Sequence, residues 1–172
     1  DARRGGKNRY YRMTDISDTE ASDIKQLTGI DVTEFSRKIS SDSIRHIENR
    51  HGEKGAADSS LKDDADIARM NYVLENYDSI ELVEEDSSHY VDKNNNPAPL
   101  VRYAKRVNGS YYVVEAVPDT SWKSLQIVTA YKNTKKEALH GSNTGNSSPE
   151  HNARNDHAAT SFNEVSVPQN EQ

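Results

Sequence analysis

The residues of this chain best suited to chemistry lie in Ser43-Ile44-Arg45-His46-Ile47-Glu48-Asn49-Arg50-His51-Gly52. Two histidines and two arginines share one short helical segment that ends in glycine. At about 100° per residue, Ile44, Ile47 and His51 fall within roughly 60° of one another on a helix wheel. His51 therefore rides on the apolar stripe that faces the rest of the domain. Arg50 flanks that stripe, and His46 lies nearer the opposite side. A titratable ring aimed inward from a helix end, beside a guanidinium, can act as an acid or base over a phosphate. A helix C-terminus also suits a cationic group, which fits an acid or an electrostatic stabiliser. A half-buried histidine bonded to a backbone carbonyl satisfies the same pattern.

A second group of residues falls on strands. Arg102, Lys105 and Arg106 share a hairpin with Tyr103, Tyr111 and Tyr112, while Thr129 and Tyr131, two apart, share one face of a later strand. If that face meets His51, the site holds an imidazole, aromatic rings for base stacking, hydroxyls and cations. Those groups suffice to cleave RNA without a metal. A base takes the 2′-hydroxyl proton, cations offset the phosphorane charge and an acid protonates the leaving 5′-oxygen. Tyrosines on a half-exposed sheet and basic residues on its solvent side would look the same in sequence.

Positioning these groups requires a scaffold. Asp18 to Leu27 reads as a helix capped by Ser17 or Asp18, with Gly29 beyond its end. Asp31 to Ile39 is a short strand or an extended lead-in. Asp42 or Ser43 caps the histidine helix, and Gly52 terminates it. From Leu61 to Tyr77, Ile67, Met70, Val73, Leu74 and Tyr77 recur at helical spacing, with Asp63, Asp64 and Asp66 in the first turn. The period then changes to two. Ile80 to Glu84, Val101 to Val107, Tyr111 to Val117 and Leu125 to Tyr131 read as strands. Asn108-Gly109 marks a tight hairpin, and Pro118-Asp119 breaks the third run. The expectation is an α+β fold, with N-terminal helices packed on one face of a four-stranded antiparallel sheet. Residues 1–17 form a basic flexible arm, 18–137 the folded domain and 138–172 a disordered polar tail. His140, His151 and His157 in that tail lack the spacing or rigid support of a metal site.

Composition narrows the function. Of 172 residues, 33% are apolar and 29% charged, and the apolar ones concentrate between Ile24 and Leu139. Without cysteine there is no disulfide, thiolate zinc site or cysteine nucleophile. Phosphate-binding glycine loops, the His-Glu-x-x-His zinc motif and the Gly-x-Ser-x-Gly elbow are also absent. No apolar run reaches membrane-spanning length. Asp1 is not methionine, so the chain is expected to be a fragment of a longer polypeptide or a processed product. The net charge of −6 argues against broad, nonspecific nucleic-acid binding. The charge is uneven, however: Asp58 to Asp86 is acidic and Val101 to Lys136 basic.

Taken in order, residues 43–52, Asp66-Ile67-Ala68-Arg69-Met70-Asn71-Tyr72-Val73-Leu74-Glu75-Asn76-Tyr77-Asp78, Asn108-Gly109-x-Tyr111-Tyr112-Val113-Val114-Glu115-Ala116-Val117 and Leu125-x-Ile127-Val128-Thr129-Ala130-Tyr131 form a recognisable pattern. Over about residues 24–133 the chain resembles the phage-associated nuclease domains of the barnase, EndoU, colicin E5/D and RelE-like group. Such domains occur behind Mu-like minor head proteins and in mobile-element polyproteins. The resemblance implies two helices on a four-stranded antiparallel sheet and a ribonuclease toxin activity. It matches His46 and Arg50-His51-Gly52 to the helix histidines, Thr129 and Tyr131 to the strand pair, and Lys105 or Arg102 to the hairpin cation. Mechanism follows only loosely from this fold, because members of the wider group use different acid/base sets.

The expected function is a metal-independent, cofactor-free endoribonuclease toxin domain that leaves a 2′,3′-cyclic phosphate, tRNA being one candidate substrate. His51, His46, Thr129 and Tyr131 are the candidate catalytic residues. Arg50, Arg102, Tyr103 and Lys105 are the candidate substrate-binding ones. A cognate immunity protein is the implied partner. Action is expected in the cytoplasm, with carriage in a virion or delivery into a target cell. The competing expectation is a noncatalytic protein-interaction module of a phage head or packaged effector, which the acidic helix and polar tail suit. A metal-dependent nuclease would need clustered carboxylates, and Asp63, Asp64 and Asp66 are the only dense set.

Overall fold

A computed structural model describes residues 9–83, 90–91, 95 and 97–133. The expected tail over 138–172 and its histidines lie outside the described residues. The elements run β1 (Tyr10–Arg12), α1 (Asp18–Thr28), β2 (Ser36–Ser40), α2 (Ser41–His51), α3 (Asp64–Ala68), α4 (Met70–Glu75), β3 (Ser79–Val83), β4 (Leu100–Val107), β5 (Ser110–Asp119) and β6 (Ser124–Asn133). The strands form one sheet in the order β1-β2-β6-β5-β4-β3. The class is α+β as expected, but the sheet has six strands and is mixed. The four expected strands form the antiparallel meander β3 to β6. The additions are β2, which pairs parallel to β6, and β1, which comes from within residues 1–17 and pairs antiparallel to β2. β2 falls largely within the stretch 31–39 read as a short strand or extended lead-in, whereas the three residues of β1 carry too little alternation to disclose a strand; tertiary pairing decides both.

Local chemistry sets most element ends. Ser17 caps α1 through the Glu20 amide, and Gly29 closes it at φ 74. The cap of the histidine helix lies two residues before Asp42: Ser40 holds that place, and its hydroxyl accepts from the Ser43 amide. Residues 61–77 hold two short helices rather than one, joined at Arg69. Asp63 caps the first and Asp66 is drawn inward, accepting from Lys132, Arg69 and the Lys62 amide. Asn108 and Gly109 both take positive φ (50 and 83), as a two-residue hairpin turn requires. Pro118 does not end β5, which runs on to Asp119. Pairing with β4 stops at Ala116, so the missing N–H of Pro118 falls where β4 offers no acceptor.

The core fills the helical side of the sheet. Ala21 and Ile24 of α1, Ile47 of α2 and Met70, Val73 and Leu74 of α4 pack on Ile39, Val101, Tyr103, Tyr112, Val114, Ile127 and Ala130. Within it Glu20 accepts from Tyr103 and from the fully buried Arg37, which also reaches Thr14. The pair locks α1 to β2 and β4. Removing one partner would leave a buried charge uncompensated, a cost of about 3–5 kcal/mol. Glu20→Gln should therefore lower the urea midpoint by that order of free energy without changing the denaturant slope, which an equilibrium unfolding curve checks.

Candidate active site

β2 pairs with β6 only as far as Ile127. Beyond that point α2, which follows β2 directly, takes over the outer side of β6. Its inward stripe thus runs along a sheet edge. Ile47 enters the helical core, and one turn later His51 stacks on Tyr131, with ring centroids 5.4 Å apart. Tyr131 packs with Ala104 and Val113, on the sheet face opposite the helical core. The loop after α2 folds back on the helix end. Ala57 and Asp58 amides donate to the Arg50 carbonyl, and the Leu61 amide donates to that of His51. Asp58 Oδ2 consequently meets His51 Nδ1 at 2.8 Å, while Oδ1 accepts from the Ser60 amide. Ser60 Oγ in turn receives the Lys132 amide of β6. Nε2 of His51 has no hydrogen-bond partner among the described residues.

The sheet aligns the remaining groups through register. Glu81 lies opposite Arg102, Arg102 opposite Glu115 and Glu115 opposite Thr129, which makes one row across β3, β4, β5 and β6. Directly opposed residues share a face, so this row lies on the Tyr131 side. A bulge between Glu115 and Ala116 leaves Val128 unpaired and re-aims β6 there. Glu115, only 6% exposed, accepts from Arg102 Nε at 2.8 Å and from the Tyr131 hydroxyl at 3.2 Å, both on Oε1. Arg102 also reaches Glu81 at 3.4 Å. Burial, then the Glu115 charge, raise the Tyr131 phenol far above its ordinary range, so it serves as a neutral donor. Burial pulls Arg102 down, but Glu115 and then Tyr131 outweigh it and hold the guanidinium firmly charged. Thr129 is 8% exposed and its hydroxyl has no partner among the described residues.

The structure thus brings His51, Tyr131, Thr129 and Arg102 to one side of the sheet. Arg50 is exposed next to His51. His46 stands on the outer flank of α2; partial burial of its ring, then the charges of His51 and Arg50, lower its pKa. Two expected binding residues do not join. Tyr103 is 0% exposed in the helical core, bonded to Glu20, and cannot stack a base. Lys105 points to that same side and is paired with Asp78 at 2.5 Å. Both follow from strand alternation, since Tyr103 and Lys105 have the opposite parity to Arg102. Two participants escaped the sequence reading. Glu115 carried a signal, as the one charge in the apolar run Tyr112 to Val117. Asp58 had none beyond its place in a polar loop. Among the described residues no three histidines or acids converge as metal ligands. Asp63 and Asp66 serve as helix cap and internal anchor instead.

An imidazole held by a carboxylate, a second carboxylate held by an arginine, and an unpartnered hydroxyl on one sheet face are the parts of an acid–base site in a small α+β domain. The chain belongs to the phage-Barnase-EndoU-ColicinE5/D-RelE like nuclease3 family, which its residues 14–140 match. No curated protein and no solved structure matches it significantly. Among the described residues, no helix is long and apolar enough to cross a membrane.

The loop that supplies Asp58 depends on Gly55, where a Cβ would collide with the carbonyl oxygens of Arg50 and Asp58. Gly55→Ala should therefore speed amide exchange at Ala57, Asp58 and Leu61 at least tenfold and leave β4 and β5 unchanged. Asp58 also gives a pH dependence. Partial burial raises its pKa, but hydrogen bonds from Ser60 and His51 outweigh that and lower it below the unfolded value. Its contribution to the loop is complete above the ordinary aspartate range and lost as pH falls through the lowered folded value. An NMR titration should show the loop amides opening in that acid window, and Asp58→Asn should abolish the transition.

Proposed function

We propose that this domain is an endoribonuclease that cleaves RNA by attack of a 2′-hydroxyl on the adjacent phosphate. The observation that carries the reading is the continuous chain Asp58–His51–Tyr131–Glu115–Arg102, beside the buried Thr129 hydroxyl, which has no partner among the described residues. Glu115 takes the 2′-hydroxyl proton as the 2′-oxygen bonds to phosphorus. His51, oriented through Nδ1 by Asp58, donates from Nε2 to the 5′-oxygen as the P–O5′ bond breaks. The products are a 2′,3′-cyclic phosphate and a 5′-hydroxyl. Thr129 donates to a non-bridging phosphate oxygen, and Arg50 adds positive charge at the helix end. Arg102 and Tyr131 chiefly hold Glu115 in place, while His46 assists from the flank. A toxin role, tRNA as substrate, an immunity partner, action in the cytoplasm and carriage by a phage or mobile element belong to the same proposal.

One observation favours a noncatalytic, protein-binding role. Arg102 is matched by two carboxylates, so the row across the sheet carries no surplus positive charge for a phosphate.

The deciding experiment incubates the full chain with total tRNA and mRNA in EDTA, next to His51→Ala, Glu115→Gln and Thr129→Val. Loss of either acid/base group should lower kcat by about 10²–10⁴-fold, and loss of the hydroxyl by less. Cleavage by the parent with cyclic phosphate ends supports the reading. A folded parent that cuts neither RNA class, or variants as active as the parent, would overturn it.

A further inference from the structure

The chain's only tryptophan is not in the core. Trp122 is 40% exposed and stacks on Tyr10 with ring centroids 6.0 Å apart. Its turn is firmly built. Asp119, almost fully buried, accepts the Ser121 and Trp122 amides on Oδ1 and the Gln126 side chain on Oδ2. Lys123 holds a positive φ of 44, and its carbonyl receives the Ser36 amide. A tryptophan left 40% exposed on an anchored turn presents a rigid ring face to solvent, and such a face suits stacking.

Register puts this platform on the same side as the acid–base site. Tyr11 and Ile39 enter the helical core, so their neighbours Tyr10, Arg12 and Lys38 take the other face, the face of Thr129 and Tyr131. Tyr10 pairs opposite Ser40, at the level where α2 begins, two strands from β6 and so roughly 10 Å away. The surround is basic. Among the described residues the side chain of Lys38 has no ion-pair partner. Arg12–Asp15 and Lys123–Glu34 are exposed pairs that exchange readily for phosphate.

We infer that Tyr10 and Trp122 form a base-stacking subsite for single-stranded RNA, with Lys38 on its phosphates, a few nucleotides from the scissile bond. This rests on the ribonuclease reading for the direction of the strand but makes a separate binding claim.

The test uses the full chain carrying His51→Gln and a single-stranded octaribonucleotide. Because Trp122 is the sole tryptophan, its fluorescence reports the subsite directly. The expected result is saturable quenching, and an affinity about tenfold weaker in Tyr10→Ala and in Trp122→Leu, the latter read by fluorescence polarisation of a labelled octamer. Lys38→Glu should also weaken binding and reduce its salt dependence. Equal quenching by duplex RNA would overturn the stacking claim. Cleavage by the parent, with no quenching and unchanged affinity in both aromatic variants, would overturn the subsite and leave the nuclease reading standing. Quenching and affinity loss without any cleavage by the parent would support the subsite and overturn the nuclease reading.

Discussion

A sheet edge buried in a folded domain must have its backbone groups satisfied, and how β6 meets that demand shapes the rest of this molecule. Its first half pairs with β2; its second half lies under α2 and accepts help from Ser60, whose hydroxyl receives the Lys132 amide. The changeover from strand to helix puts the end of α2 beside Tyr131. Had β2 continued, no helix terminus would have reached that face. The loop that completes the edge also delivers Asp58 to His51, so sheet closure and histidine orientation are one structural event.

The two faces of the sheet divide the labour. One carries the larger apolar cluster, together with the Glu20–Arg37–Tyr103 and Asp66–Lys132–Tyr112 anchors that tie helices to strands, while smaller clusters around Val117 and Val113 lie on the opposite face. The other carries Glu81, Arg102, Glu115 and Thr129 in one row, and Tyr10, Arg12 and Lys38 farther along. Buried charged groups that a core would not tolerate alone are matched there by opposite charges. A strand can carry both because its alternation sends adjacent residues to different environments. Tyr103 next to Arg102, and Tyr112 two residues before Val114 and three before Glu115, show how abruptly the environment changes.

Membership of the nuclease family fixes a class of protein more securely than a mechanism. Part of the acidity that weighs against RNA binding is engaged within the fold. Asp63 is a helix cap, Asp66 an anchor, Asp78 a partner of Lys105, and Glu115 a partner of Arg102. Formal charge along the sequence is therefore a poor guide to the field that a ligand on the Tyr131 face would meet.

Periodicity and turn chemistry were enough to read the meander, the α1 and α2 helices and the core stripe of α4, because each is a local pattern. The positive-φ pair Asn108-Gly109 and the cap at Ser17 are legible in the same way. Local patterns also placed His51, Thr129 and Tyr131 as candidates, since a stripe and an i, i+2 pair need no partner to be seen. Register between strands decided the rest. It sent Tyr103 and Lys105 to the face away from Tyr131, joined Glu115 to Arg102 and Tyr131, added β1 and set β2 parallel to β6. Asp58 reached His51 only through the path of a loop. Those outcomes depend on contacts between residues far apart in the chain, and no single stretch of sequence contains them.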